Sequence, residues 1–350
     1  MVNRKRFSTF RSFVIFSCFV YSIVLILQSE WRSSPAREFD AHLTGRGAPS
    51  KGVLLLTQMR SGSSFTGVLL TAAASTFYTE EPVRDFMLFP PSSPKDIAKA
   101  LQLLRDVLRC RFVARPDYYE KRLMLMHYHD ANTGSLCSFS QELCMSPLIT
   151  ETMCLAAHAR LARVVVLDLE SAAPVLQDSD LDTHAIHLVR DPRGVLSSRE
   201  KLSKYGYFTG TALNASSVCD RYRRDLRGAA AVKASVPHRY TLLRYEDLSL
   251  NTTLELRRLY DILGLAYTAR VASKVAYHTL GMADDLSYSY GTTRDSKATV
   301  FRWRSRLSFA EMKEIQDACL DVLQAYGYRV FASKEEYEDQ ALEVLVPVKA

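Results

Sequence analysis

Two short runs in the sequence combine arginine, hydroxyl side chains and glycine in a way that suits a bound anion. They are Arg60-Ser61-Gly62-Ser63-Ser64 and Arg190-Asp191-Pro192-Arg193-Gly194, the second continuing to Ser197, Ser198 and Arg199. Each follows an apolar stretch, residues 53–56 and 184–189, and each leads into residues with helical spacing. A helix start presents backbone N–H groups without intrahelical partners and carries the positive end of the helix dipole, so phosphate is the expected guest. Phe65, Val68, Leu69 and Ala72 recur at i, i+3, i+4 and i+7, which buries one face of the first helix and turns Ser63, Ser64 and Thr66 toward a ligand. Arg190 is placed to fork onto a phosphate, and Ser198, in the helix that follows, offers a hydroxyl to the same group. Taken singly, the first run reads equally as an ordinary strand-to-helix connection. The second reads also as a surface turn in which Asp191 pairs with Arg193 or Arg199. Two such strand ends in one chain point to one anionic ligand gripped at two places.

The surrounding elements fit that use. Residues 163–168 and 239–245 read as further short, apolar, buried strands. Helices alternate with them. Ser93-Pro94-Lys95-Asp96 begins one with a capping signature and proline at its first position, and Ile97, Leu101, Leu104 and Leu108 continue it. Thr252-Thr253-Leu254-Glu255 and Ser308-Phe309-Ala310-Glu311 begin two more, the latter running to a stop near Gly327. The alternation predicts an α/β fold, a P-loop-like parallel sheet flanked by helices on both faces. The first run is not a nucleotide P-loop, because its cation precedes the glycine and no Gly-Lys-Ser/Thr follows. Nor is it a hydrolase elbow, since Thr66 stands where the second glycine of G-x-S-x-G belongs.

At 350 residues, 47% hydrophobic and 24% charged, the chain suffices for one large globular domain and lacks the biases of disorder. Its formal charge of +7 suits anionic ligands. Aromatic residues are not interleaved with the basic ones, which argues against nucleic acid. Residues 12–27 are uncharged and mostly apolar, preceded by Arg4, Lys5, Arg6 and Arg11. A cleaved signal peptide is the competing reading, but no convincing small-x-small site follows Leu27 and the apolar run is long for one, so these residues are expected to form a retained type II signal anchor, spanning 12–28, behind a cytoplasmic tail of residues 1–11. Residues 29–50 follow as a stem, 51–332 as the lumenal domain and 333–350 as a C-terminal tail. With Cys18 in the anchor, six cysteines remain for an oxidising lumen, and their spacing does not choose among fifteen pairings. No C-x-x-C pair or histidine cluster suggests a metal. Asn214-Ala215-Ser216 and Asn251-Thr252-Thr253 are glycosylation acceptors in a lumenal domain.

The two runs, from Arg60 to Phe65 and from Leu188 through Arg190 and Ser198 to Arg199, resemble the donor-binding motifs of Golgi carbohydrate sulfotransferases. The group that sulfates the 6-hydroxyl of galactose, N-acetylgalactosamine or N-acetylglucosamine is the most similar in pattern. The resemblance extends through Arg244-Tyr245-Glu246-Asp247-Leu248 and the ending from Tyr290 through Trp303-Arg304 to Gly327-Tyr328, covering residues 51–331. It implies a Golgi enzyme using 3′-phosphoadenosine 5′-phosphosulfate (PAPS), with no metal, on a glycan or glycosaminoglycan acceptor. Arg60, Ser61, Gly62, Ser63, Ser64 and Phe65 would hold the 5′-phosphosulfate, and Arg190 and Ser198 the 3′-phosphate.

Transfer in line places growing negative charge on the leaving oxygen, which Arg60 is expected to meet as a purely electrostatic clamp. The acceptor hydroxyl needs a base. Thr79-Glu80-Glu81-Pro82-Val83 resembles the Glu-Pro segment of the carbohydrate enzymes, so Glu81 is the expected base, with Glu80 or His127 as alternatives and a simple pairing with Arg84 as the structural reading. Relatives often carry aromatic residues and histidine after that proline, whereas this chain has Arg84-Asp85-Phe86. Residues 292–304 resemble the loop that closes over PAPS, with Arg294, Lys297 or Arg304 touching phosphate and Trp303 packing on adenine, or else a solvated basic loop with a core tryptophan. The segment from Arg244 to Leu248 reads as structural. A P-loop kinase-like phosphotransferase and a membrane-anchored glycan binder without catalysis are the competing functions; oligomeric state is not legible.

Overall fold

The computed structural model describes residues 50–86, 93–116, 118, 136–280, 291–293 and 295–348. Five parallel strands form one sheet: β1 (Lys51–Leu56), β2 (Thr76–Glu80), β3 (Ala159–Val164), β4 (Thr183–Val189) and β5 (Tyr240–Arg244), in the order β2-β3-β1-β4-β5. The expected α/β architecture is present. β1 shows why a parallel sheet needs cover on both faces: Leu54 and Leu56 enter one core cluster while Val53 and Leu55 enter another. The first cluster is filled by α2 (Pro94–Leu108) and α4 (Leu169–Leu176). The second is filled by α1 (Ser63–Leu70), α8 (Thr252–Leu263) and α9 (Ala269–Thr279). α3 (Pro147–Ala156) precedes β3.

A third cluster lies beyond the end of β4 and joins α5 (Pro192–Ser203), α6 (Ala215–Ser235), α10 (Phe309–Ala318) and α11 (Leu320–Ala325). Its last members come from the final stretch: Tyr337 and Val344 are buried, and Arg329 N–H donates to the Val344 carbonyl. The stretch expected to form a tail, residues 333–350, is therefore anchored to the core through Tyr337 and Val344. α7 (Tyr245–Leu250) follows β5 directly.

Local signals account for most element starts. Ser93 caps α2 with Pro94 at its first position, and Ser308 and Glu311 form the capping box of α10. Three readings change. The third strand is Ala159–Val164, so Val165, Val166 and Leu167 pack into the core without ladder partners while the chain bends toward Asp168, the N-cap of α4. β2 was not anticipated. The last helix is two, because Cys319 interrupts it in a disulfide with Cys219. Further disulfides join Cys110 to Cys154 and Cys137 to Cys144.

Among the described residues no helix is long and apolar enough to cross a membrane; the expected anchor, residues 12–28, lies outside them, as do the tail and most of the stem.

Candidate active site

The sheet order reverses beside β1, whose neighbours are β3 and β4, and the two loops that carry the basic runs leave the carboxyl ends of β1 and β4 at that point. They touch. Arg60 Nε donates to Ser198 Oγ at 3.1 Å, and Arg190 Nη1 donates to the Arg60 carbonyl at 3.0 Å. A cavity of about 340 Å³ opens above them, within the size range of ligand sites.

The first loop is strained into shape. Arg60 has φ 74° and Gly62 φ 92°, the left-handed region that costs a side chain about 1–2 kcal/mol. At position 62 a Cβ would also lie 2.3 Å from Tyr245 Cδ2, so only glycine lets the loop pass that ring. Gly62 is the N-cap of α1 and supplies no capping side chain, which leaves the N–H groups of the first turn without a side-chain cap at the cavity. Arg199 braces this loop from behind, donating to Gln58 Oε1 and the Met59 carbonyl, while burial lowers its pKa to about 10.

The second loop is held by its own charges. Asp191 caps α5 and forms a wholly buried ion pair with Arg193, Nη2 to Oδ2 2.7 Å; Arg193 also lies over Trp303 at 4.6 Å. The Asp191–Arg193 pairing foreseen as a surface feature is thus real but internal, and it frees Arg190 to face the cavity with its guanidinium 4.6 Å over the Tyr245 ring. Glu246 accepts the Asp191 backbone N–H at 3.1 Å and the Tyr328 hydroxyl at 2.8 Å. Its burial, with help from the Asp191 charge and against Arg190, pushes its carboxyl up to about 7. Arg244 pairs with Asp247 and donates to the Gly327 carbonyl, so these charges pin the end of β5, whereas Tyr245 of the same segment lines the cavity.

At the far end of the cavity stands Arg163, the functional residue that sequence reasoning missed. It is buried, donates to Ser64 Oγ at 2.5 Å and to Glu81 Oε1 at 2.8 Å, and pairs closely with Glu80. Burial disfavours its charge, but Tyr78, Glu80 and Glu81 outweigh that and hold its pKa above the usual arginine value. An arginine opening the apolar run 163–167 was the available signal, because a cation in a buried strand demands buried partners. Glu81 itself has φ 46° and faces Arg84, Nη1 to Oε2 3.6 Å. The pairing of Glu81 with Arg84 is thus present, beside a closer one with Arg163, and the carboxylate lines the cavity.

Of the expected site residues, Arg60, Gly62, Ser63, Ser64, Phe65, Glu80, Glu81, Arg190 and Ser198 line this cavity. Ser61 lies beneath it, buried, with no hydrogen-bond partner for its hydroxyl. Arg304 is elsewhere: it donates to the Leu342, Tyr337 and Asp339 carbonyls and holds the C-terminal stretch. Its neighbours Arg302 and Arg306 line the cavity instead, Arg306 lying one 3-10 turn after Trp303, while Arg304 falls on the other side of that turn. Lys297 is exposed and not among the lining residues, and Trp303 lines the wall with its indole against Gly194. Arg294 and His127 lie outside the described residues. The donor set suits a phosphorylated anion: Arg190 Nε, Ser61 Oγ and Trp303 Nε1 are buried polar atoms with no partner, and all belong to these loops and their wall. Among the described residues no group of His, Cys, Asp or Glu could hold a metal ion.

Comparison with known proteins agrees with this arrangement. The pattern of the Sulfotransferase family matches residues 53–269, from β1 to the start of α9. Carbohydrate sulfotransferase 1 of Rattus norvegicus and carbohydrate sulfotransferase 5 of Mus musculus are each 29% identical over 84% of this chain, covering 83% and 85% of their own lengths. Carbohydrate sulfotransferase 6 of Homo sapiens is 29% identical over 84% of this chain and 85% of its own. Since the matched region contains both loops, Arg163 and the Glu80–Glu81 pair, the chain belongs to the sulfotransferase family.

Proposed function

We propose that this chain transfers the sulfuryl group of PAPS to a sugar hydroxyl on a glycan. The observation that carries the reading is the junction of the two strand-end loops, where Arg60 reaches Ser198 and Arg190 reaches the Arg60 backbone in one cavity with Glu81. The names of the relatives support a sugar as acceptor. A 6-hydroxyl of galactose, N-acetylgalactosamine or N-acetylglucosamine is our finer assignment.

PAPS supplies the activated sulfuryl group. The uncapped first turn of α1, with Arg60, receives the 5′ end, and Arg190 with Ser198 receives the 3′-phosphate. Arg60 stabilises charge on the departing oxygen and donates no proton at neutral pH. Glu81 takes the proton of the acceptor hydroxyl. Arg163 acts as a positioning residue, fixing Glu81 on one side and the α1 hydroxyls on the other. Arg302 and Arg306 complete the lining of the donor site.

We also assign the chain to the Golgi lumen behind an anchor at residues 12–28. Three disulfides, which form and persist in oxidising compartments, support a lumenal domain. Incubating the full chain with sulfur-labelled PAPS and a panel of desulfated chondroitin, keratan and N-acetylglucosamine-terminated oligosaccharides tests the reaction. Label on a glycan, lost at least tenfold in Arg60→Ala, is the expected result. Absence of label on every acceptor, or full activity in Arg60→Ala, would overturn the assignment.

A further inference from the structure

The arginines of the cavity are not equivalent. Arg60 and Arg190 are joined at the loop junction, Arg302 and Arg306 flank Trp303 on the wall beside them, and Arg163 is buried between two glutamates. Arg84 belongs to none of these groups. It begins a single 3-10 turn, Arg84–Phe86, that follows Glu81, and its side chain is 52% exposed. Among the described residues its ionic contact is Glu81 Oε2 at 3.6 Å, longer than a good hydrogen bond, while Glu81 Oε1 is held by Arg163 at 2.8 Å. A half-exposed guanidinium thus stands at the carboxylate end of the cavity, linked through Glu81 and Arg163 to Ser64 at the start of α1.

We propose that Arg84 reads an anionic substituent of the acceptor glycan, a uronate carboxylate or a sulfate ester already in place. The inference rests on the transferase reading above and deepens it by naming the acceptor class. Three considerations carry it. A hydroxyl within reach of Glu81 and an anion within reach of Arg84 lie at most about 10 Å apart, a distance spanned within one sugar or between neighbours in a chain. Arginine offers carboxylate and sulfate a planar fork that a neutral sugar does not fill. When Glu81 accepts the hydroxyl proton it becomes neutral, and Arg84 loses the partial partner it has; an acceptor anion restores one at the moment the proton moves.

The experiment compares kcat/KM of the full chain on three acceptors: a desulfated chondroitin oligosaccharide, a lactosamine oligosaccharide bearing one sulfate, and the same lactosamine without it. Wild type, Arg84→Ala and Arg84→Lys are measured at low and high salt. Any effect of Arg84 on proton acceptance by Glu81 falls on every acceptor alike and cancels in the ratio of anionic to neutral substrate. The expected result is a wild-type preference for an anionic acceptor that weakens with salt. In Arg84→Ala the ratio falls at least tenfold, mainly through KM, with partial recovery in Arg84→Lys. Which acceptor responds distinguishes carboxylate from sulfate. An unchanged ratio in Arg84→Ala, or a wild type that sulfates the neutral lactosamine best, would overturn the inference and leave the transferase reading standing. Transfer to none of the three would overturn both.

Discussion

Arg163→Met tests whether the buried arginine organises the acceptor end of the site. The substitution keeps much of the side-chain volume and removes the charge that Glu80 and Glu81 share, together with the bond to Ser64 Oγ. All three charged side chains are at most 11% exposed, so the two carboxylates would be left facing each other with little water to screen them. Removing one member of a buried ion pair costs about 3–5 kcal/mol, and the residual exposure argues for the lower figure. About 3 kcal/mol corresponds to roughly 5 °C in melting temperature for a unit of about 300 residues. Urea denaturation of wild type, Arg163→Met, Glu80→Gln and the double variant forms a cycle that isolates the pair. Neutralising Glu80 should cost less in the absence of Arg163 than in its presence, with a coupling of at least about 1.5 kcal/mol. Additive effects within about 0.5 kcal/mol would show that Arg163 does not hold the carboxylates, and the reasoning from its geometry would fail.

Three other outcomes are expected. Gly62→Ala combines a left-handed backbone cost of about 1–2 kcal/mol with a clash against Tyr245, the ring on which Arg190 lies, so calorimetry should find binding of PAP, the desulfated donor, weakened at least tenfold. Glu246 has a folded-state pKa of about 7, above its unfolded value, so the native chain holds the extra proton between those two pH values. Stability is then greatest below the unfolded value and declines as pH rises through about 7, by up to about 1 kcal/mol per pH unit relative to Glu246→Gln, measurable as diverging urea midpoints from pH 5 to 8. Replacing Cys219 and Cys319 together by alanine opens a bridge spanning 100 residues and should lower stability by about 2–5 kcal/mol in the same denaturation assay.

What the sequence made legible follows from how local each signal was. The two anion loops were readable because strand, turn and helix start occur within a dozen neighbouring residues, and the caps at Ser93 and Ser308 because a cap needs only four. The joining of those loops depends on Arg60 meeting Ser198, 138 positions away, which only the sheet order brings about. Arg163 escaped notice for the same reason: its partners lie on α1 and at the end of β2, a strand whose Thr-Phe-Tyr-Thr-Glu sequence gave no strong apolar run. Arg304 was assigned to phosphate, with Arg294 and Lys297 as alternatives, from the resemblance of its segment to a loop that closes over PAPS. Its role turned on the carbonyls of Tyr337, Asp339 and Leu342, which come from residues that carried no recognisable pattern. The anchor segment lies outside the described residues.

The packing of residues 333–348 also bears on when the protein first becomes competent during its synthesis. Arg304 stands between Arg302 and Arg306 of the cavity wall, and the carbonyls that hold it belong to Tyr337, Asp339 and Leu342, which are synthesised after both anion loops. Tyr337 further donates its hydroxyl to the Arg304 and Leu307 carbonyls. A nascent chain that already contains both anion loops still lacks the support of the wall facing them. A stop codon anywhere between positions 304 and 337 should therefore abolish activity as surely as a lesion at Arg60, although it spares both loops.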